Sequence, residues 1–244
     1  VAIRTLVMER KGAIANAEGT LGIGGGVVQD SREASEYAEC LLKARFFEAA
    51  RAKLELIETL KYDGDFLRLD RHLARMAASA ARLGLAFDQC KARAALNDAV
   101  KAQAGPLRLR LTLDEEGQHQ VIAAALPANP AHWTYAVSPT RTDSGDELLR
   151  HKISWRDLYE GEIMRLKTDE VIFCNERGEL TEGARSNIFV RRNGLLLTPP
   201  LASGLLPGIL RAELLESGQA RETVLTEADL SEEVYFGNSL RGLI

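Results

Sequence analysis

The stretch Asn175-Glu176-Arg177-Gly178-Glu179-Leu180-Thr181-Glu182-Gly183-Ala184-Arg185-Ser186-Asn187-Ile188-Phe189 decides how the second half of the chain folds. Ahead of it Glu170–Asn175 is a strand-like apolar run. Behind it Ser186–Arg191 and Leu195–Thr198 are two more. The polar and glycine residues between them read as turns of a sheet, where a carboxylate such as that of a Thr-Glu-Gly turn is ordinarily a cap or a surface charge.

Working outward, helices are expected near Trp155–Arg165 and Ile209–Glu216, and a strand at Thr134–Ser138. Pro127 to Pro130 interrupts the pattern and marks a linker, because each proline restrains itself and the residue before it. Before the linker, Lys53–Tyr62 reads as a strand, Asp63-Gly64 as a hairpin turn and Asp65–Leu69 as the returning strand. Asp70–Gly84 follows as a helix with Leu73, Met76, Ala77, Ala80 and Leu83 on one face and Gly84 as its stop. A second helix over Asp88–Ala104 leads to Leu107–Asp114, where Leu alternates with Arg or Thr, and then to the strand Gln120–Ala125.

At the start, Val1–Met8 is a strand candidate. Glycine-rich Leu21–Gly26 reads as a turn into a strand at Val27-Val28, and Glu33 to Ala50 has helical spacing. The chain opens on Val rather than Met and runs directly into that strand, which suggests a piece of something longer. The expected organisation is residues 1–45 as an N-terminal extension, 46–126 as a small α+β domain, 127–133 as linker and 134–244 as a larger domain.

The 244 residues, 45% hydrophobic, are enough to bury a substantial core. Lys plus Arg number 31 against 35 Asp plus Glu, with no long run of one sign, so nucleic acid is a poor partner. No apolar stretch approaches the roughly 20 residues that cross a bilayer, and the start lacks the basic, apolar and small-residue pattern of a signal peptide, so no membrane partner and a cytoplasmic location are expected. Cys40, Cys90 and Cys174 are few and far apart. They suit reduced thiols better than a disulfide framework, and no metal site is expected.

Four separated segments carry candidate chemistry: Asp70-Arg71-His72-Leu73-Ala74-Arg75-Met76, His151-Lys152-Ile153-Ser154-Trp155-Arg156, the stretch quoted first, and Thr198-Pro199-Pro200 through Gly204-Leu205-Leu206-Pro207-Gly208-Ile209-Leu210-Arg211. Together, and in this order, they resemble the class IV, or fold-type IV, pyridoxal-phosphate enzymes, which include D-amino-acid and branched-chain aminotransferases and 4-amino-4-deoxychorismate lyase. The resemblance covers about Phe46 to the end. It implies a two-domain α+β fold of the D-amino-acid aminotransferase type, pyridoxal 5'-phosphate as cofactor, and a homodimer.

On that resemblance Lys152 is the Schiff-base lysine, made nucleophilic by partial desolvation; by itself a lysine is most often solvent-facing. Glu182 matches the carboxylate that faces the cofactor's pyridine nitrogen, and Glu179, three residues earlier, is expected to be exposed. Gly208, Ile209 and Leu210 open a helix whose free amides suit a phosphate. Arg75 resembles the family's phosphate arginine, and Ser239 occupies the place of a phosphate hydroxyl donor.

The ending Val234-Tyr235-Phe236-Gly237-Asn238-Ser239-Leu240-Arg241-Gly242 looks like the lyase branch. The start, Gly22 to Asp30 with Glu36, Glu39 and Lys43, resembles the tail of chorismate-binding enzymes such as component I of para-aminobenzoate synthase, which in some bacteria is fused ahead of the lyase. The resemblance thus implies conversion of 4-amino-4-deoxychorismate to para-aminobenzoate and pyruvate. The substrate is a small dicarboxylate, for which Arg108, Arg110, Asn238 and Arg241 are binding candidates; each arginine equally suits an exposed strand or tail. A class IV aminotransferase acting on branched-chain or D-amino acids is the alternative, and an inactive partner module of the synthase a second. The family's threonines after the lysine are replaced here by Ile153-Ser154.

Overall fold

A computed structural model of the chain describes residues 4–9, 18–23, 53–101 and 103–244, the first two stretches by backbone only. Strands β1 (Arg4–Glu9) and β2 (Glu18–Ile23) pair antiparallel. The first lies where the apolar start predicts it, whereas Leu21–Ile23, expected in a turn, belong to β2. The strand expected at Val27-Val28 and the helix expected from Glu33 to Ala50 lie outside the described residues.

Strands β3 (Leu56–Tyr62), β4 (Leu107–Leu113) and β5 (His119–Ala125) form an antiparallel sheet in that order, with helices α1 (Leu69–Leu83) and α2 (Gln89–Val100) between the first two in sequence. The alternation in β4 places Leu107, Leu109, Leu111 and Leu113 in the core and leaves Arg108 and Arg110 exposed on the opposite face. On α1 the buried residues His72, Leu73, Met76, Ser79, Ala80 and Leu83 form one stripe, and Gly84, at φ +74°, ends the helix in the left-handed region. Asp88 caps α2 by accepting from the amides of Cys90 and Lys91. The strand expected at Asp65–Leu69 reduces to a single bridge between Tyr62 and Phe66. The Asp65 carboxylate bonds the Phe66 amide, Arg68 turns left-handed at φ 59°, and Leu69 already begins α1.

After Pro130, β6 (Tyr135–Thr142) pairs parallel with β7 (Glu170–Asn175), which pairs antiparallel with β8 (Leu180–Gly183); α3 (Asp157–Leu166) lies between β6 and β7 in sequence. A five-stranded sheet has the order β11-β10-β9-β12-β13. Its members are β9 (Asn187–Arg192), β10 (Leu195–Thr198), β11 (Ala220–Glu222), β12 (Glu233–Asn238) and β13 (Gly242–Leu243), with α4 (Ile209–Glu216) between β10 and β11. The Thr-Glu-Gly turn of the sequence is in fact the end of strand β8, because Leu180 to Gly183 are buried against β7.

The segment holding Lys152 is clamped to β3. The Ile57 amide donates to the Lys152 carbonyl at 2.7 Å, the Ser154 amide donates to the Glu55 carbonyl at 2.9 Å, and Leu56 bridges Ile153. Ile153 enters the core of the β3-β4-β5 sheet with Leu56 and Leu60. In this extended stretch neighbouring side chains alternate in direction, so the burial of Ile153 turns Lys152 the other way, into a cavity.

Candidate active site

The cavity has a volume of about 900 Å³ and brings together residues from before and after Pro130. Lys152, Glu182, Arg75, Gly208, Ile209, Ser239, Arg108, Arg110, Asn238 and Arg241 all line it. Leu210 does not: its side chain packs with Phe189 and Leu214, so only its backbone stands at the start of α4.

Lys152 sits with its amine removed from solvent. Burial is the main force lowering its pKa from 10.5 to about 8; the positive charges of Arg156 and Arg75 act in the same direction, against Glu58 and Glu182. Roughly a tenth of such an amine is unprotonated at pH 7, several hundredfold more than for a free lysine. Glu182 Oε1 accepts from the Tyr159 hydroxyl at 3.0 Å, and its Oε2 accepts from the Leu206 amide at 3.1 Å. Burial pushes its carboxyl up to about 7, more than those bonds and the nearby cations pull it down.

The floor of the cavity is a buried polar group that the sequence reading did not anticipate. Glu58, on β3 and 1% exposed, accepts from Arg75 at both oxygens (2.8 and 2.7 Å) and from His72 Nδ1 at 2.6 Å. Burial alone would raise the Glu58 carboxyl. The Arg75 charge and the hydrogen bonds from His72 and Arg75 outweigh it and hold the group at about 2. Arg75 also donates to the Pro207 carbonyl at 3.2 Å, so three of the guanidinium's five N–H groups are used and two remain. His72 Nε2 lies 2.9 Å from the Ser239 hydroxyl. His72 and Arg75 stand three residues apart on one helix face, a spacing that points to a shared partner. That was the available signal; the partner on β3 has none of its own.

Arg156 and Tyr159 are likewise new. Arg156 donates to the Ala184 carbonyl and its guanidinium lies 4.9 Å from the centroid of the Tyr159 ring, linking the turn after Glu182 to the donor that holds Glu182. Asn238 orders the final turn instead of projecting free: its amide donates to the Arg185 carbonyl and its oxygen accepts from the amides of Leu240 and Arg241. Arg241 donates to the Asn129 side-chain oxygen. Glu179 is not exposed as expected. It is paired with Arg177, Asn175 and Ser203, whose hydrogen bonds hold its carboxyl at about 2.

Gly208 starts α4 without a side-chain cap, and a Cβ there would lie 1.7 Å from Asn187 Oδ1. Gly208 and Ile209, at the start of the helix, line the cavity with Ser239 and Arg75. A buried amine with lowered basicity, a buried carboxyl, and an arginine, a hydroxyl and a helix start lining one cavity fit a phosphorylated pyridine aldehyde.

The family model described as "Amino-transferase class IV" matches residues 55–244, and that described as "chorismate binding enzyme" matches residues 1–49. The chain belongs to the class IV aminotransferase family and is a pyridoxal-phosphate-dependent enzyme of fold type IV. Among its relatives is a Schizosaccharomyces pombe protein named "Putative aminodeoxychorismate lyase", 31% identical over 76% of this chain and 86% of that protein. A "D-alanine aminotransferase" of Bacillus licheniformis is 25% identical over 64% of this chain and 62% of its own. A solved structure from Mesorhizobium loti, titled "Putative amino-acid aminotransferase", is 44% identical with a TM-score of 0.74, covering 78% of this chain and 97% of that one.

Proposed function

We propose that the chain converts 4-amino-4-deoxychorismate to para-aminobenzoate and pyruvate. The observation that carries this reading is the presence, in one chain, of a chorismate-binding match over residues 1–49 and a class IV match over 55–244. In such a fusion with component I of para-aminobenzoate synthase, one part prepares an aminated chorismate and the other consumes it. The S. pombe relative supports the same reading.

Pyridoxal phosphate, when bound, supplies the aldehyde and electron-withdrawing ring. Lys152 would be its attachment point, Glu182 would serve the ring nitrogen, and Ser239, Arg75 and the amides of Gly208, Ile209 and Leu210 would hold the phosphate. Lys152 Nζ would take the proton from the substrate's ring carbon that bears nitrogen. The enolpyruvyl C–O bond then breaks, the ring becomes aromatic, and the departing enol takes up a proton to become pyruvate. Arg108 and Arg110, on the cavity face of β4, receive the substrate's carboxylates together with Arg241. As in other class IV enzymes, the working unit is a homodimer.

Incubation with 4-amino-4-deoxychorismate yields para-aminobenzoate and pyruvate in equal amounts without a keto acid. The second reading, an aminotransferase, is favoured by the Mesorhizobium loti title and the D-alanine aminotransferase relative. Transfer of an amino group to 2-oxoglutarate, with no para-aminobenzoate formed, would replace the first reading with the second.

A further inference from the structure

Ser239, His72 and Glu58 form a continuous buried line from the cavity wall into the core, with relative exposures of 8%, 1% and 1%. The protonation pattern along it follows from the donors available. Glu58 is ionised and offers only acceptors, so His72 Nδ1, at 2.6 Å, carries a hydrogen. The Glu58 oxygens also receive Arg75, which fixes the carboxylate from its other side. In a neutral His72 the remaining nitrogen, Nε2, is then a bare acceptor, and the only hydrogen available for the 2.9 Å contact is that of the Ser239 hydroxyl.

That arrangement turns Ser239 the wrong way for an anion. With its hydrogen committed to His72, Ser239 Oγ presents lone pairs to the cavity, and a phosphate oxygen meeting them is repelled. Protonation of His72 at Nε2 reverses the bond: the imidazolium donates to Oγ, and the hydroxyl hydrogen is freed toward the cavity. The charges facing His72 are Glu58 on β3, Arg75 on its own helix, and Lys152 on the clamped segment, while Arg68 reaches the Ser239 carbonyl at 3.4 Å. Burial first, then Arg75 and Lys152, keep His72 neutral against the pull of Glu58 in the absence of an anion. A phosphate dianion at Ser239 offsets those two cations.

We infer that phosphate binding in this cavity is coupled to proton uptake by His72, with Glu58 and His72 acting as positioning residues that turn the Ser239 hydroxyl from His72 toward the phosphate. The balance is one proton taken from solvent onto Nε2 for each phosphate dianion held, with no bond to carbon or phosphorus made or broken. The inference rests on the reading of Ser239 and Arg75 as phosphate donors. Linkage requires that phosphate affinity fall as pH rises through the titration of His72, by up to roughly tenfold per pH unit.

The test is nitrogen NMR of histidine-labelled full-length protein loaded with either pyridoxal 5'-phosphate or pyridoxal, which differ only in the phosphate; the chain has four histidines to assign. With the phosphate present, both ring nitrogens of His72 are expected to be protonated at pH 7.5, as a choice of pH above the ordinary histidine value of about 6.5. With pyridoxal, Nε2 is expected to be bare. Ser239→Ala should return His72 to the neutral form with pyridoxal 5'-phosphate still attached, and cofactor affinity should drop about tenfold. A neutral His72 in the phosphate-loaded protein, with Ser239→Ala still lowering affinity, overturns the proton coupling alone. Unchanged affinity in both Ser239→Ala and Arg75→Gln overturns the phosphate-site reading beneath it.

Discussion

The Tyr159 hydroxyl donates to Glu182 Oε1 at 3.0 Å while Arg156 covers the Tyr159 ring, so the carboxylate assigned to the cofactor ring is held from α3. Removing that donor leaves the Leu206 amide as the hydrogen bond on the other oxygen. Tyr159→Phe is expected to move the Glu182 carboxyl further above its present value of about 7 and so to weaken its ionised form. A lost hydrogen bond to a charged group costs about 1.5–3 kcal/mol, which corresponds to a tenfold or greater loss of cofactor affinity. Equilibrium titration of the apoprotein with pyridoxal phosphate measures it, and unchanged affinity would separate Tyr159 from the site.

Lys152 gives a pH dependence whose sign is fixed by its environment. The folded protein holds its pKa near 8, below the ordinary 10.5, so between those values the unfolded chain binds more protons than the folded one. The penalty of a buried ammonium is complete below pH 8 and disappears as pH rises toward 10.5. Apoprotein stability should gain a rising component over that window, and Lys152→Met should abolish it while raising stability at pH 7. Denaturant melts at pH 7, 8.5 and 10 read both effects. Borohydride reduction of the holoenzyme followed by peptide mapping should place the cofactor on Lys152, and attachment elsewhere would overturn the assignment.

Glu58 gives a pH dependence of the same sign in an acid window, as a stabilising contribution and not a penalty. Its folded pKa is about 2 against an ordinary 4.5, so its stabilising share is present above pH 4.5 and is lost as pH falls toward 2. Glu58→Gln leaves the mostly buried Arg75 guanidinium without its counter-charge, a change that costs about 3–5 kcal/mol. A melting temperature lowered by less than a few degrees would show that Arg75 finds another partner.

Lys152 and Glu182 were legible because the chemistry needs those residue types inside distinctive local strings, and α1 and α4 because their faces or starts show in the spacing. What could not be read has a common cause. Glu58 is one glutamate in an otherwise unremarkable strand, and its meaning comes from His72 and Arg75, 14 and 17 positions on. Ser239 meets His72 across 167 positions. The strand at Leu180–Gly183 was hidden because its polar residues imitate a turn, and only the pairing with β7 makes them a strand. The turn-ordering bonds of Asn238 have the same origin, since its partners Arg185, Leu240 and Arg241 offer backbone groups.

Gly208 tests the proposed phosphate site without touching a charge. The position where a Cβ would stand is 1.7 Å from Asn187 Oδ1, whose amide nitrogen donates to the Leu206 carbonyl at 3.1 Å. Gly208→Ala must displace Asn187 or the start of α4. Overpacking of this kind costs about 1–3 kcal/mol, and cofactor affinity is expected to fall along with stability. Asn187→Ala in the same protein should recover part of the loss by opening the space. If the double variant is no better than Gly208→Ala, the clash is not the cause.

Arg108 and Arg110 separate substrate recognition from cofactor binding. Both stand on the exposed face of β4, opposite the leucines that build the core, and both line the cavity, so neither is needed for folding. Arg108→Gln and Arg110→Gln should leave melting temperature and the cofactor's visible absorbance unchanged. In the lyase assay each should raise KM for 4-amino-4-deoxychorismate by roughly tenfold or more, the loss of a charge-assisted pair with a carboxylate, with a smaller effect on kcat. The two differ in what they would meet: a variant that raises KM for the dicarboxylate but leaves a monocarboxylate analogue unaffected identifies the arginine that reads the second carboxylate. A pair of variants with unchanged KM would place the substrate's carboxylates elsewhere, with Arg241 the next position to replace.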